Sequence, residues 1–150
     1  MHAHADEDGL ADLATRTGLG HLVGAMMDDA QRAIVQALRF ALPRDAIVHH
    51  CANEVTEPGS RGQIRQSILV GMGVHAGFSD LIVISGGRVL FLEVKSPSGR
   101  LRKSQEVFRD TVCAQGFGWA LVRSVDDALV ALADNGFTSR VRSPARRVAP

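Results

Sequence analysis

The sequence predicts an α/β domain in which a mixed β-sheet is covered by helices on both faces. Three observations predict it. Ala30, Ile34, Leu38 and Leu42 recur every four residues, which is one face of a helix. The segment 79–99 holds two apolar, strand-like runs, LIVI and VLFLEVK, joined by Ser85-Gly86-Gly87-Arg88, and Gly-Gly is a favoured two-residue hairpin loop. The step from strand 88–95 through a helix at 104–115 to FGWALVR at 117–123 is a strand–helix–strand unit with a right-handed, parallel crossover. The chain has 150 residues, 45% of them apolar and 22% charged, enough for one packed core.

Taken in order, residues 1–25 are polar and then Gly-rich and read as a mobile arm or a weak helix. The first strong helix opens at Asp28 and Asp29, acids that suit the positive end of the helix dipole, and Pro43 stops it. AIVHHCA at 46–52 is a short β-branched strand, and NEVTEPGSRG at 53–62 reads as a loop. QIRQSILVGMG at 63–73 is a short helix with Ile64, Ile68 and Met72 on one side. After the hairpin, Ser104 is the candidate N-cap of helix 104–115, with Val107, Phe108, Thr111 and Val112 facing inward and Gly116 as the stop. Trp119 falls mid-strand in 117–123, a core position. Ser124 and Asp127 have the spacing of a capping box for a last helix that ends near Gly136. Residues 138–150 read as a basic, disordered tail.

Composition excludes several classes. No apolar run approaches the ~20 residues that span a bilayer, and the acidic start MHAHADEDGLADL lacks the pattern of a signal peptide. Cys51 and Cys113 make neither a disulfide framework nor a four-ligand zinc site, so a cytoplasmic setting is expected. Net charge is +1, and Arg supplies 15 of the 17 basic residues. Residues 1–12 carry four acids and no Lys or Arg, whereas residues 138–150 carry four Arg and no acid.

The chemistry lies at the open end of the hairpin. With Gly86-Gly87 as the loop, Ser85 pairs with Arg88, Ile84 with Val89, and, further down the ladder, Asp80 with Glu93. Directly opposed side chains have Cβ atoms ~4.5–5.5 Å apart, and like charges so placed destabilise a sheet. Strand parity adds Lys95 to the face of Glu93. Two carboxylates and a lysine at the end of a covered sheet suit a hard divalent cation and phosphate chemistry. The alternative is a plain Glu93–Lys95 ion pair with Asp80 as a strand-entry residue. Arg100, Arg102 and Lys103 form an acid-free basic run beside the site, suited to a phosphate backbone or to solvent. Arg61 and Arg65 are weaker candidates of the same kind. His49, His50 and His75 read as structural or surface residues.

Ser79-Asp80 followed by Glu93-Val94-Lys95 is the signature of PD-(D/E)XK nucleases. Together with Gly77-Phe78, Phe91-Leu92, Gly99, Ser104-Gln105 and Leu121-Val122-Arg123-Ser124, it resembles the VRR-NUC branch of that superfamily over roughly residues 28–132. The resemblance implies a restriction-endonuclease-like αβββαβ core spanning residues 26–137. It implies Asp80 and Glu93 as metal-binding acids, the Val94 carbonyl as a further ligand, Lys95 as the catalytic lysine and Gln105 as a supporting residue. It further implies an Mg²⁺- or Mn²⁺-dependent DNA endonuclease of a phage-infected or bacterial cell, acting as a homodimer on branched DNA such as Holliday junctions. A flap, nick or unselective nuclease, or a non-catalytic DNA-binding protein, are the alternatives. The family has a further acid on its first helix; here Asp28 or Asp29 offers one, or caps the helix, and Glu54 either approaches the metal or caps a loop. Ser79 stands where many relatives have Pro. Segment 53–75, with Val55 and Val70, is expected in the dimer contact or as a lid.

Overall fold

A computed structural model describes residues 19–52 and 59–144. Its elements are α1 (Leu19–Ala41), β1 (Ile47–His50), α2 (Gly59–Gly71), β2 (Leu81–Ser85), β3 (Arg88–Val94), α3 (Lys103–Ala114), β4 (Gly118–Val122) and α4 (Val125–Asp134). The four strands form one mixed sheet in the order β1-β2-β3-β4. β1–β2 and β2–β3 are antiparallel, and β3–β4 is parallel. Glu54 and Val55 lie outside the described residues, as do the first 18 residues and those after Pro144. Among the described residues, no helix is long and apolar enough to cross a membrane.

The hairpin register is the expected one: Ser85 opposes Arg88, Ile84 opposes Val89, and the ladder runs down to Leu81 against Leu92. Gly86 and Gly87 both take positive φ, at 57° and 74°, as a tight primed turn requires. Alternation along the strands sorts the two sheet faces. Leu81, Val83, Leu90, Leu92 and Val94 are buried with Ile34, Leu38 and Leu42 of α1 and Ala128, Ala131 and Leu132 of α4. On the other face Phe91 meets Phe78 and Phe117 edge-on and packs with Phe108 of α3, ring centroids 5.3–6.2 Å apart.

The structure corrects the sequence reading in five places. α1 begins at Leu19, not at Asp28, and runs through Gly20 and Gly24. Leu19, Leu22, Val23, Met26, Met27 and Ala30 continue the three-to-four-residue apolar spacing upstream, so the period outweighs the ~1 kcal/mol cost of each glycine. Asp28 and Asp29 are therefore mid-helix and cap nothing. α2 begins at Gly59, inside the expected loop, and its Ile64, Ile68 and Met72 side faces outward while Gly62 is buried. The N-cap of α3 is Arg102, and Ser104 sits inside the helix. Phe108 and Val112 are its buried residues, whereas Val107 is exposed and Thr111 bonds back to the Val107 carbonyl.

The fifth concerns the start of the expected tail 138–150, of which 145–150 lie outside the described residues: after the buried Phe137, Arg140 and Val141 are docked, Val141 on the core. Arg140 donates its backbone N–H to the Ala41 carbonyl at 2.7 Å and its guanidinium to the Leu42 carbonyl at 2.9 Å. These are orphan carbonyls at the C-terminal end of α1, where a cation is favoured. The cap of α4 is as expected, with Ser124 Oγ accepting from the Asp127 N–H at 3.1 Å. Asp127 in turn accepts the Arg123 N–H at 2.9 Å.

Candidate active site

The site is built where β2 begins and β3 ends. Cys51 donates its N–H to the Asp80 carbonyl at 2.8 Å, extending the β1–β2 ladder one step past His50 and Leu81. Asp80 is half-buried, and its Oδ2 accepts the Val94 N–H at 2.8 Å, which ties the acid to the end of the partner strand. Continuing the Leu81–Leu92 register places Asp80 opposite Glu93. Asp80 is thereby bonded to Val94, the residue after Glu93.

Glu93 is 1% exposed, and a carboxylate buried to this degree needs strong partners. Two are on its Oε1: Gln105 Nε2 donates at 2.5 Å, and Lys95 Nζ stands 3.3 Å away. The Lys95 side chain is 17% exposed. Its backbone N–H bonds to the Val122 carbonyl at 3.0 Å, so β4 fixes where the lysine leaves the sheet. Gln105 is fixed from both ends, because its Oε1 accepts the Arg102 N–H at 2.9 Å as its amide group reaches Glu93. The N-terminal turn of α3 therefore carries a group that both closes the helix end and orients the buried acid.

Asp80 and Val94 line a cleft of ≈ 210 Å³ with Met27, Asp28 and Gln31 of α1, His50 and Ala52. Asp28, itself exposed, thus shares the cleft with Asp80, whereas Asp29 stands 3.6 Å from Arg32 outside it. Glu93 and Lys95 are not among the described residues lining this cleft. Among the described residues, no three His, Cys, Asp or Glu side chains form a metal-binding cluster. Asp80 and Val94 line the cleft and Glu93 precedes Val94 in β3, so the carboxylates and the Val94 carbonyl are all hard oxygen donors. Such a set fits Mg²⁺ or Mn²⁺, which complete their shells with water and phosphate. Burial, and then the charge of Asp80, push the Cys51 thiol up. Cys51 is thereby a neutral neighbour of the acid.

Arg100, Arg102 and Lys103 are exposed on the approach to α3. Lys103 also stands 3.6 Å from Glu106. Two supports have no clear sequence signal. Ser79 is fully buried and accepts the Trp119 indole N–H at 3.1 Å, making the expected core tryptophan a strut for the loop before Asp80. Arg123 donates to the Ser96 carbonyl just past Lys95.

The segment holding these residues, 60–126, matches the model of the VRR-NUC domain family. This segment is similar to VRR-NUC domains. A solved structure of a VRR_NUC domain protein superposes with a TM-score of 0.55 at 18% identity, covering 73% of this chain and 86% of that one. That likeness is one of fold. No curated protein matches the chain. The matched segment contains Asp80 just before β2, Glu93 in β3, Lys95 just after β3 and Gln105 in α3. Asp28 on α1 and the docked tail lie outside the matched residues.

Proposed function

We propose that this VRR-NUC protein is a metal-dependent endonuclease that hydrolyses phosphodiester bonds in branched DNA, Holliday junctions included. The observation that carries it is the bond of Asp80 to the Val94 N–H at one sheet end, next to Glu93 with Lys95 and Gln105 held on it. Asp80, Glu93 and the Val94 carbonyl would hold Mg²⁺ or Mn²⁺, with Asp28 facing the same cleft. A bound divalent cation supplies Lewis-acid polarisation of the phosphate and a more acidic water. Gln105 keeps Glu93 oriented through the Arg102 N–H contact, and Lys95 would present its ammonium hydrogens to the attacking water and to the charge that grows on the phosphoryl oxygens. Arg100, Arg102 and Lys103 bind the backbone of the same DNA.

One set of site residues per chain and two opposed cuts in a two-fold substrate argue for a homodimer at work. A panel of end-labelled DNA (four-way junction, flap, nick and plain duplex) incubated with Mg²⁺ tests the reading. Paired, symmetric cuts in the junction are expected. They should be lost in Lys95→Ala and not restored by Lys95→Arg, whose planar guanidinium does not replace a compact ammonium. Cleavage of flaps or nicks alone makes it a flap nuclease, and DNA binding without cleavage makes it an accessory protein. Light scattering with and without the junction should give a dimer. A monomer in both states that still makes paired cuts defeats that part.

A further inference from the structure

α2 departs most from the pattern of the rest of the domain. It is inserted between two residues that are themselves bonded, since the chain leaves the sheet at Cys51 and returns at Asp80, whose carbonyl accepts the Cys51 N–H. Both roots of α2 are therefore at the catalytic end of the sheet. Gly62 is buried, and Gln66 and Leu69 are half-buried, so these three mark its inner side. The outer side carries Ile64 and Ile68, one turn apart and 60% and 58% exposed. Arg61 and Arg65 run along one flank of this apolar stripe. Ser60, Gln63 and Ser67 run along the other, lining a shallow depression with the two isoleucines. The helix carries no Asp or Glu.

We infer that the outer face of α2 grips DNA at a break in its stacking, with Arg61 on a backbone phosphate and Ile64 and Ile68 against an unstacked base. This rests on the nuclease reading and adds how a branched substrate is selected. Charge decides the occupant. A second copy docked through this stripe about a two-fold axis sets Arg61 of one copy near that of the other, whereas DNA meets the same arginine with a phosphate. Apolar side chains inserted beside basic ones are a known means of holding DNA at an unstacked step. A paired duplex offers no base face to the isoleucines, but a branch point does.

The test is binding in EDTA, where nothing is cut, of the full chain to a four-way junction and to a linear duplex of equal length. The junction carries 2-aminopurine at its branch. Ile64→Ser/Ile68→Ser should weaken junction binding about tenfold and abolish the rise in 2-aminopurine fluorescence, while changing duplex binding less than about twofold. Arg61→Ser should weaken both DNAs alike and reduce the slope of log K against log salt by about one. Both changes are on exposed side chains, and an unchanged melting curve verifies the fold. Unchanged junction binding by the double variant overturns the inference, and a loss of dimer mass in that variant marks the face as a contact between copies. Wild-type protein that binds neither DNA overturns the nuclease reading itself.

Discussion

Gly77 shows how little room surrounds the site. Its φ is +74°, and a Cβ there would lie 2.2 Å from the Ser104 carbonyl oxygen and 2.6 Å from the Gln105 nitrogen. The loop that carries Ser79 and Asp80 thus lies directly on the turn that carries Gln105, so one glycine sets the spacing of the two halves of the site. Gly77→Ala combines a left-handed backbone, which costs about 1 kcal/mol, with a contact against backbone that cannot turn aside. A loss of more than about 2 kcal/mol is expected, seen as a fall of roughly 5–10 °C in Tm, together with a large drop in DNA cleavage in protein that circular dichroism shows to be folded. A wild-type Tm and rate would show that the loop yields. The acids and Lys95 were legible because a Gly-Gly hairpin has a countable register and period-2 parity. Gly77, the Ser79–Trp119 bond and the Arg123–Ser96 contact were not. Each joins segments far apart in sequence, and no local pattern records such a meeting.

At the scale of elements, patterns with a strong period were readable and exposed or docked segments were not. The hairpin, the parallel β3–α3–β4 unit and the Ser124 cap follow from local chemistry that the tertiary structure does not oppose. The stripe of Ile64, Ile68 and Met72 has helical spacing, but spacing cannot say whether a face turns in or out. The tail looked disordered because it is short, basic and without period. It is held by what it meets, the carbonyls that end α1. Arg140 supplies a guanidinium to Leu42 and lies 6.0 Å over the Phe40 ring. Arg140→Ala keeps the backbone bond to Ala41 but loses these side-chain contacts, and should cost about 1–2 kcal/mol in urea denaturation. Arg142→Ala, on an exposed neighbour, should stay within about 0.5 kcal/mol. Equal values for the two would show that the tail adds nothing to α1.

The whole molecule concentrates its unfavourable electrostatics at one end. Among the described residues Glu93 is buried with Gln105 and Lys95 on it, Asp80 is bonded to the adjacent Val94, and Asp28 lines the cleft of Asp80. A fold that gathers carboxylates in this way gains stability from any cation that binds them in the folded state only, by RT ln(1 + [L]/Kd). With Mg²⁺ at ten times its Kd that is about 1.4 kcal/mol, or a rise of roughly 3–5 °C in Tm for a chain of this size. Asp80→Asn separates charge from structure, because the amide oxygen can still accept the Val94 N–H that Asp80 accepts at 2.8 Å. The variant should therefore stay folded in EDTA and lose most of the Mg²⁺ response. Thermal melts of both proteins across a Mg²⁺ titration, without DNA, read this independently of turnover. Equal shifts in the two would remove Asp80 from the metal site, and the absence of any shift in the wild type would leave the acids without the cation that their pairing calls for.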